Sequence, residues 1–268
     1  MVIVMIKGIL IDLGKTILTN EDFSFQRGLI TIYNKYDYIN NNVSLNVFLN
    51  KANSYLYLYK EREITNIEIP FYKYIKLIFN DLNIELRNFD DLEYSFLKGA
   101  IVDNLIENVT TFLEYTKKQN IPVLIVSNST FSKKALLRQL EELNLAHYFV
   151  DLISSCDVSY RKPSREIFEF SYNIISKYTN SACRDEILFI GNDYELDVLG
   201  SLNANLIPVF FNQNNLPYDK NIYSFNNYLN LIEHLKKIKN WEISQFQSVD
   251  KLTFVSTFLI TIQYWEKC

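Results

Sequence analysis

Four short polar segments, each close to the end of an apolar run or the start of a helix, hold residue types from which nucleophiles, acid–base groups and metal ligands are drawn. The apolar run 8–11 leads into Asp12, with Gly14, Lys15 and Thr16 just beyond it. The run 122–126 leads into Ser127 and Asn128. Tyr160, Arg161 and Lys162 precede Pro163, and the run 186–190 leads into Gly191, Asn192 and Asp193, with Asp197 four residues after Asp193. Each segment alone is a weak signal, because an Asp at a strand end is most often a turn or capping residue. Together, in this order, they are a strong one.

The elements that must position them follow from hydrophobic pattern. Continuous apolar, β-rich runs at 8–11, 122–126, 150–153, 186–190 and 206–211 suit strands buried on both faces. Helical periodicity predicts helices over 110–119, 132–143, 163–177 and 195–202, with Pro163 in a first turn where its missing N–H costs nothing. Alternating strands and helices give an α/β fold, a doubly wound parallel sheet that gathers ligands beyond the carboxyl ends of its strands. Between the first and second strands lie about eighty residues with helical patterns over 25–36, 45–59, 71–79 and 92–102, which predict an inserted all-helical cap domain. The expected division is a core of 1–18 and 100–240, a cap of 19–99 and a C-terminal extension of 241–268 whose structure the pattern does not fix. An amphipathic helix is expected over 223–238, and the apolar stretch 254–264 is expected to pack on the protein's own core.

Composition bounds the partners. With 48% hydrophobic and 22% charged residues and a net charge of −4, the chain lacks the clustered basic charge of a nucleic-acid binder. No apolar stretch reaches the ~20 residues of a membrane span, and the N-terminus shows no cleavage-site pattern, so a cytoplasmic protein with neither membrane nor nucleic-acid partner is expected. A homodimer through the cap or the C-terminal tail stays open. Cys156, Cys183 and Cys268 lack metal-ligand spacing and are expected to be reduced thiols. Aromatic residues make up 15% of the chain, and many fall in the cap, including Tyr55, Tyr57, Tyr59, Phe71, Tyr72 and Tyr74. Rings at helical spacing are expected to form core rather than a substrate platform. The 30 Asn, and 20 Lys against 7 Arg, read as the bias of an AT-rich genome.

At these motifs the sequence resembles the haloacid dehalogenase superfamily, whose members are mostly Mg²⁺-dependent phosphatases with a Rossmann-like core. The resemblance covers roughly residues 5–18 and 100–212 and extends to the residues around the motifs, such as Ile167-Phe168 after Lys162-Pro163. It implies Asp12 as nucleophile, Ser127 and Asn128 as phosphate-binding groups, and Lys162 as the cation that holds nucleophile and phosphoryl group. It also implies Mg²⁺ held by Asp12, the Gly14 carbonyl and Asp193, with Asp197 and Thr16 in support. The implied function is hydrolysis of small phosphorylated metabolites through an aspartyl-phosphate, with the cap closing over the site.

One departure from the family pattern matters. A second Asp usually stands two residues after the nucleophile as general acid and base, and here that position is Gly14. Its carbonyl remains, but a proton donor is lost, and acid–base catalysis is typically worth ~10²–10⁴-fold. That argues against a phosphomutase and for substrates whose leaving groups depart with little protonation, unless Glu21 or Asp22 supplies the proton. Three other readings stand beside it. Gly14-Lys15-Thr16 imitates the end of a P-loop, but the six-spaced first glycine is missing. A haloacid dehalogenase would need no metal, against the intact Asp193 and Asp197. A silent, binding member of the fold is the remaining alternative.

Overall fold

The computed structural model describes residues 6–19 and 22–248. Six strands form one parallel sheet in the order β3-β2-β1-β4-β5-β6: β1 (Gly8–Ile11), β2 (Val123–Ser127), β3 (Asp151–Ser154), β4 (Ile187–Gly191), β5 (Ile207–Phe211) and β6 (Tyr223–Phe225). β1, β2 and β4 are buried along their whole length, as continuous apolar runs in a parallel sheet require. The chain winds outward from β1 through β2 and β3, then returns to the other side of β1 for β4, β5 and β6. The order therefore reverses between β1 and β4, and a crevice opens there beyond the carboxyl ends. Register fixes the rest: Ile11 lies opposite Ile125 of β2 and Ile190 of β4, so the residues just past each strand converge.

The insertion after β1 holds, among the described residues, six helices before α7 and β2: α1 (Phe25–Lys35), α2 (Asp37–Asn40), α3 (Leu45–Ser54), α4 (Tyr57–Thr65), α5 (Phe71–Asp81) and α6 (Phe89–Ala100). Their core is aromatic. Phe25 meets the rings of Tyr74 and Phe96 at 5.0 and 4.9 Å, Phe71 meets Phe96 at 4.4 Å, and Phe131 from the loop after β2 joins the same cluster. Loss of a ring such as Phe71 would cost about 3–5 kcal/mol. The rings singled out in the sequence behave as core or surface: Phe71 and Tyr74 are fully buried, Tyr57 and Tyr72 are exposed, and none of the six lines the cavity described below.

The remaining helices are α7 (Val109–Lys118), α8 (Lys133–Glu142), α9 (Ser155–Val158), α10 (Arg165–Ile175), α11 (Gly200–Asn203) and α12 (Tyr228–Ser248). Three expectations about these elements need correction. The segment 45–59 is two helices, because the amides of Tyr55, Leu56, Leu58 and Tyr59 bond three residues back and tighten the chain between α3 and α4. Residues 223–225 are an edge strand, and the helix begins only after Asn227, whose side chain accepts from Leu229 N as a cap. Pro163 stands outside α10, which starts at Arg165 behind Ser164. Helix α12 runs on to Ser248; the stretch 254–264 lies outside the described residues. Cys156 keeps a free thiol, pushed well up by burial, as expected of a reduced cysteine.

Asparagine takes over the backbone role glycine usually has. Among the described residues twelve have positive φ, nine of them Asn and none Gly. Asn66, Asn83, Asn120, Asn144 and Asn205 sit at or just past helix ends in the left-handed conformation that closes a helix. Among the described residues no helix is long and apolar enough to cross a membrane.

Candidate active site

The four motifs meet at the crevice. Asp12 follows β1, and its amide donates to Ile190 O of β4 at 2.9 Å. Its side chain is 11% exposed. Lys162, from the segment before α10, is 2% exposed and sits between two carboxylates, 2.6 Å from Asp12 Oδ1 and 2.6 Å from Asp197 Oδ1. Burial alone would depress the ammonium, yet the charges of Asp12 and Asp197 hold it above its ordinary value. Burial pushes the Asp197 carboxyl up, opposed by Lys162. The ring of Phe189 on β4 lies 5.4 Å from Lys162 Nζ and closes the ammonium off from below.

Asp197 reaches Lys162 because glycine ends β4. A Cβ added to Gly191 would stand 2.3 Å from Asp197 Cγ, so no side chain fits there without displacing the carboxylate. The turn Tyr194–Leu199 is a wide π-type turn, and Asp197 Oδ2 bonds back to Asp193 N at 3.0 Å. Asp193 Oδ1 caps the same turn through the amides of Glu195 and Leu196. No described group bonds its second oxygen. Thr16 Oγ1 lies 3.1 Å from Asp12 Oδ2 and 3.2 Å from Asn192 Oδ1, and donates its one proton to one of them. Tyr228 of α12 steadies this loop from beneath, donating to Thr16 O at 2.8 Å.

Ser127 ends β2 with its hydroxyl at the cavity and no described group bonding it. Asn128 differs from expectation. Its side chain is clamped onto the backbone of Lys162, donating to Lys162 O at 2.9 Å and accepting from Lys162 N at 2.7 Å. It positions the lysine, and what Asn128 can offer a phosphate is its backbone amide. The open oxygens suit a hard cation. Asp12, the free oxygen of Asp193 and the Gly14 carbonyl, which accepts from no described donor, all belong to residues lining the cavity. Among the described residues no group of three or more His, Cys, Asp or Glu makes a complete cage, and Mg²⁺ does not need one, since it takes one or two carboxylates and fills its shell with water and substrate oxygens.

The cavity has a volume of about 430 Å³, within the usual range for small-molecule sites. The helical insertion supplies part of its wall through Phe23, Arg62, Leu97 and Ile101. Asp22 does not reach it: that carboxylate is exposed and paired with Arg27 at 2.8 Å, while Glu21 lies outside the described residues. Among the described residues lining the cavity, the acids are Asp12, Asp193 and Asp197, so no spare carboxylate stands in for the missing second Asp.

The sequence reading did not place Arg62, Arg161 or Glu68 at the site. Arg62 and Arg161 both line the cavity. Both are held by Glu68, whose side chain is fully buried: Arg62 Nη1 lies 3.0 Å from Oε1, and Arg161 Nη1 pairs with Oε2. Ser155 Oγ and Ile69 N also donate to Glu68, at 2.6 and 3.1 Å. The available signal was the position of Arg161 immediately before Lys162; nothing local marked Glu68.

Comparisons with known proteins give the family. The family described as haloacid dehalogenase-like hydrolase matches residues 9–210. A glyceraldehyde 3-phosphate phosphatase of Methanothermobacter thermautotrophicus is 24% identical over 149 residues, 55% of this chain and 62% of that protein. A pyrimidine 5'-nucleotidase of Escherichia coli is 31% identical over 93 residues, 35% of this chain and 39% of that protein. The matched stretch thus spans less than two thirds of the length of either curated relative. In fold, the chain is similar to a 2-haloacid dehalogenase from Pseudomonas syringae pv. tomato, with a TM-score of 0.63 at 15% identity over 87% of this chain and 99% of that one. With the motifs at the strand ends and the family match covering most of its length, the chain belongs to the haloacid dehalogenase-like hydrolases.

Proposed function

We propose that the protein hydrolyses small phosphate monoesters through an aspartyl-phosphate on Asp12, with Mg²⁺ as its cofactor. The observation that carries the reading is one buried carboxylate, Asp12, placed against Lys162 beside an open Ser127 hydroxyl in a cavity of metabolite size. Both curated relatives named above act, by name, on phosphate esters.

In the first step an Asp12 oxygen bonds to phosphorus and the ester P–O bond breaks, the leaving oxygen keeping the electron pair. In the second step water attacks phosphorus and the bond to Asp12 breaks, releasing phosphate and returning the carboxylate. Lys162 steers the Asp12 carboxylate and offsets charge on the phosphoryl oxygens, Ser127 donates to one of them, and Asn128 holds Lys162 in place. Magnesium, held by Asp12, the Gly14 carbonyl and Asp193, supplies further neutralisation of phosphoryl charge.

Among the described residues no acid takes the place of the one missing at Gly14, so the leaving oxygen takes its proton from solvent. Rates on phosphate esters of graded leaving-group pKa should therefore rise steeply as the leaving group becomes more acidic. The deciding assay is turnover of an aryl phosphate with Mg²⁺, with EDTA, and with Asp12→Asn. Turnover that needs both the metal and Asp12 supports the reading; none on the aryl phosphate or on a broad phosphometabolite panel would sink it in favour of a binding role.

A further inference from the structure

The geometry points to a second anion subsite in the same cavity, formed by Arg62 and Arg161, so that the preferred substrate carries a carboxylate or a second phosphate besides the phosphoryl group at Asp12. This rests on the phosphatase reading and narrows its substrate class.

The two guanidiniums come from different parts of the fold, Arg62 from α4 of the insertion and Arg161 from the segment that also carries Lys162. Both line the cavity, and both are fixed to one buried carboxylate, Glu68. Glu68 is saturated by its four donors, whereas each guanidinium has five N–H groups and commits only Nη1 to it. Arg62 Nε is buried with no hydrogen-bond partner. The Tyr59 ring, 4.8 Å from Arg62 Cζ, packs against the face of the fork and restrains it. One carboxylate shared by two guanidiniums leaves one positive charge in excess on this wall.

The cluster around Lys162 is balanced differently. There Lys162 is already matched by Asp12 and Asp197, and Asp193 and Asp12 await a cation. A phosphoryl group seated at Asp12 therefore does not use the charge at Arg62 and Arg161. Planar, pre-oriented guanidinium donors are the side chains best suited to a carboxylate or phosphate. Ordering a flexible arginine costs side-chain entropy, and Glu68 has met that cost before a ligand arrives.

Three phosphonates that cannot be hydrolysed test this by titration calorimetry on the full chain with magnesium chloride: propylphosphonate, 3-phosphonopropionate and propane-1,3-diphosphonate. Either or both of the doubly anionic ligands should bind more tightly than propylphosphonate, by about 10- to 100-fold, the range expected of hydrogen bonds between charged partners. Their order tells a carboxylate from a second phosphate. Arg62→Gln should bring that preference close to one, and Arg161→Lys, which keeps the charge on Glu68 but removes the fork, should reduce it. Circular dichroism and a melting curve on each variant confirm that it folds. Equal affinity for all three ligands, binding of none, or an Arg62→Gln effect that weakens propylphosphonate as much as the others would overturn the subsite. Turnover of the aryl phosphate and its loss in Asp12→Asn belong to the phosphatase reading and are measured separately, so either idea can fail without the other.

Discussion

Two buried ion clusters in this molecule are mirror images in charge. At the sheet edge one cation, Lys162, sits between two carboxylates; at the seam with the helical insertion one carboxylate, Glu68, sits between two guanidiniums. Both central groups are almost wholly removed from water, and in both the cost of burying an ion is offset only because oppositely charged partners surround it. The difference lies in what is left open. Around Lys162 the reactive group is a partner, Asp12, whose carboxylate faces the cavity. Around Glu68 the partners keep unused donors, and the centre itself is closed on all sides. The first cluster is built to react, and the second to join two parts of the chain and present charge.

The sharpest way to break the comparison is at the reacting partner. Asp12→Asn keeps the shape of the first cluster but removes the nucleophile. Turnover of an aryl phosphate should fall by roughly a thousandfold or more, with only a modest change in melting temperature. A variant that kept its rate would show that the carboxylate near Lys162 is structural, as Glu68 is.

Removing the centres should separate stability from chemistry. Lys162→Met leaves Asp12 and Asp197 facing each other without a counter-ion, and Glu68→Gln leaves Arg62 and Arg161 similarly uncompensated. Loss of one partner from a buried pair costs about 3–5 kcal/mol, so both variants should lose stability of that order in urea titrations with EDTA present. Magnesium should restore much of the loss in Lys162→Met, because it places positive charge beside Asp12. It should do nothing for Glu68→Gln, where no free carboxylate is created. Equal rescue of the two would refute the distinction drawn here.

The two clusters were not equally legible in the sequence. Asp12, Ser127, Lys162, Asp193 and Asp197 stand at the ends of continuous apolar runs or at helix starts, and a parallel sheet brings such ends together whatever fills the middle. The positions of β1 to β5 were readable within about a residue for the same reason, whereas the short edge strand β6 was read as helix. Glu68 and Arg161 are 93 residues apart, and no local pattern links them. Only the folded insertion, docked by Phe131 and its aromatic neighbours, makes partners of them. Asn128 carries a related lesson. Its type and place suggested a phosphate contact, but the side chain is taken up by the Lys162 backbone, a tertiary fact with no local trace. The asparagines at helix ends were visible yet read as composition, because their meaning depends on φ.

A smaller effect should come from restoring what the first cluster lacks. Gly14 is not among the residues with positive φ, so its backbone does not demand glycine. Gly14→Asp should place a carboxylic acid near the leaving oxygen and raise turnover of alkyl phosphates by about a hundredfold, with far less gain for aryl phosphates, whose leaving groups need no proton. The slope of rate against leaving-group pKa should flatten correspondingly. An unchanged slope would mean that proton delivery is not what Gly14 removed.

The smallest effect belongs to a third cluster, half open to water, which sets the scale for the other two. Asp91 of α6 accepts from Tyr36 Oη at 2.6 Å and from Lys35 Nζ at 3.0 Å, with Arg138 Nη1 of α8 at 3.4 Å. Hydrogen bonds from Tyr36 and then Lys35 hold its carboxyl down at about 2, below the ~3.9 of an unfolded chain. The unfolded state therefore takes up the proton first as pH falls. The stabilisation is complete above about pH 4 and is lost as pH drops toward 2. Melting temperatures across that interval should decline more steeply in the native protein than in Asp91→Asn, and added salt should narrow the gap because these partners remain in contact with solvent. Salt should relieve a much smaller share of the destabilisation of Glu68→Gln, since the two guanidiniums left uncompensated there are only 21% and 10% exposed. If instead salt erased both effects alike, burial would not be what distinguishes the seam at Glu68 from an ordinary surface pair.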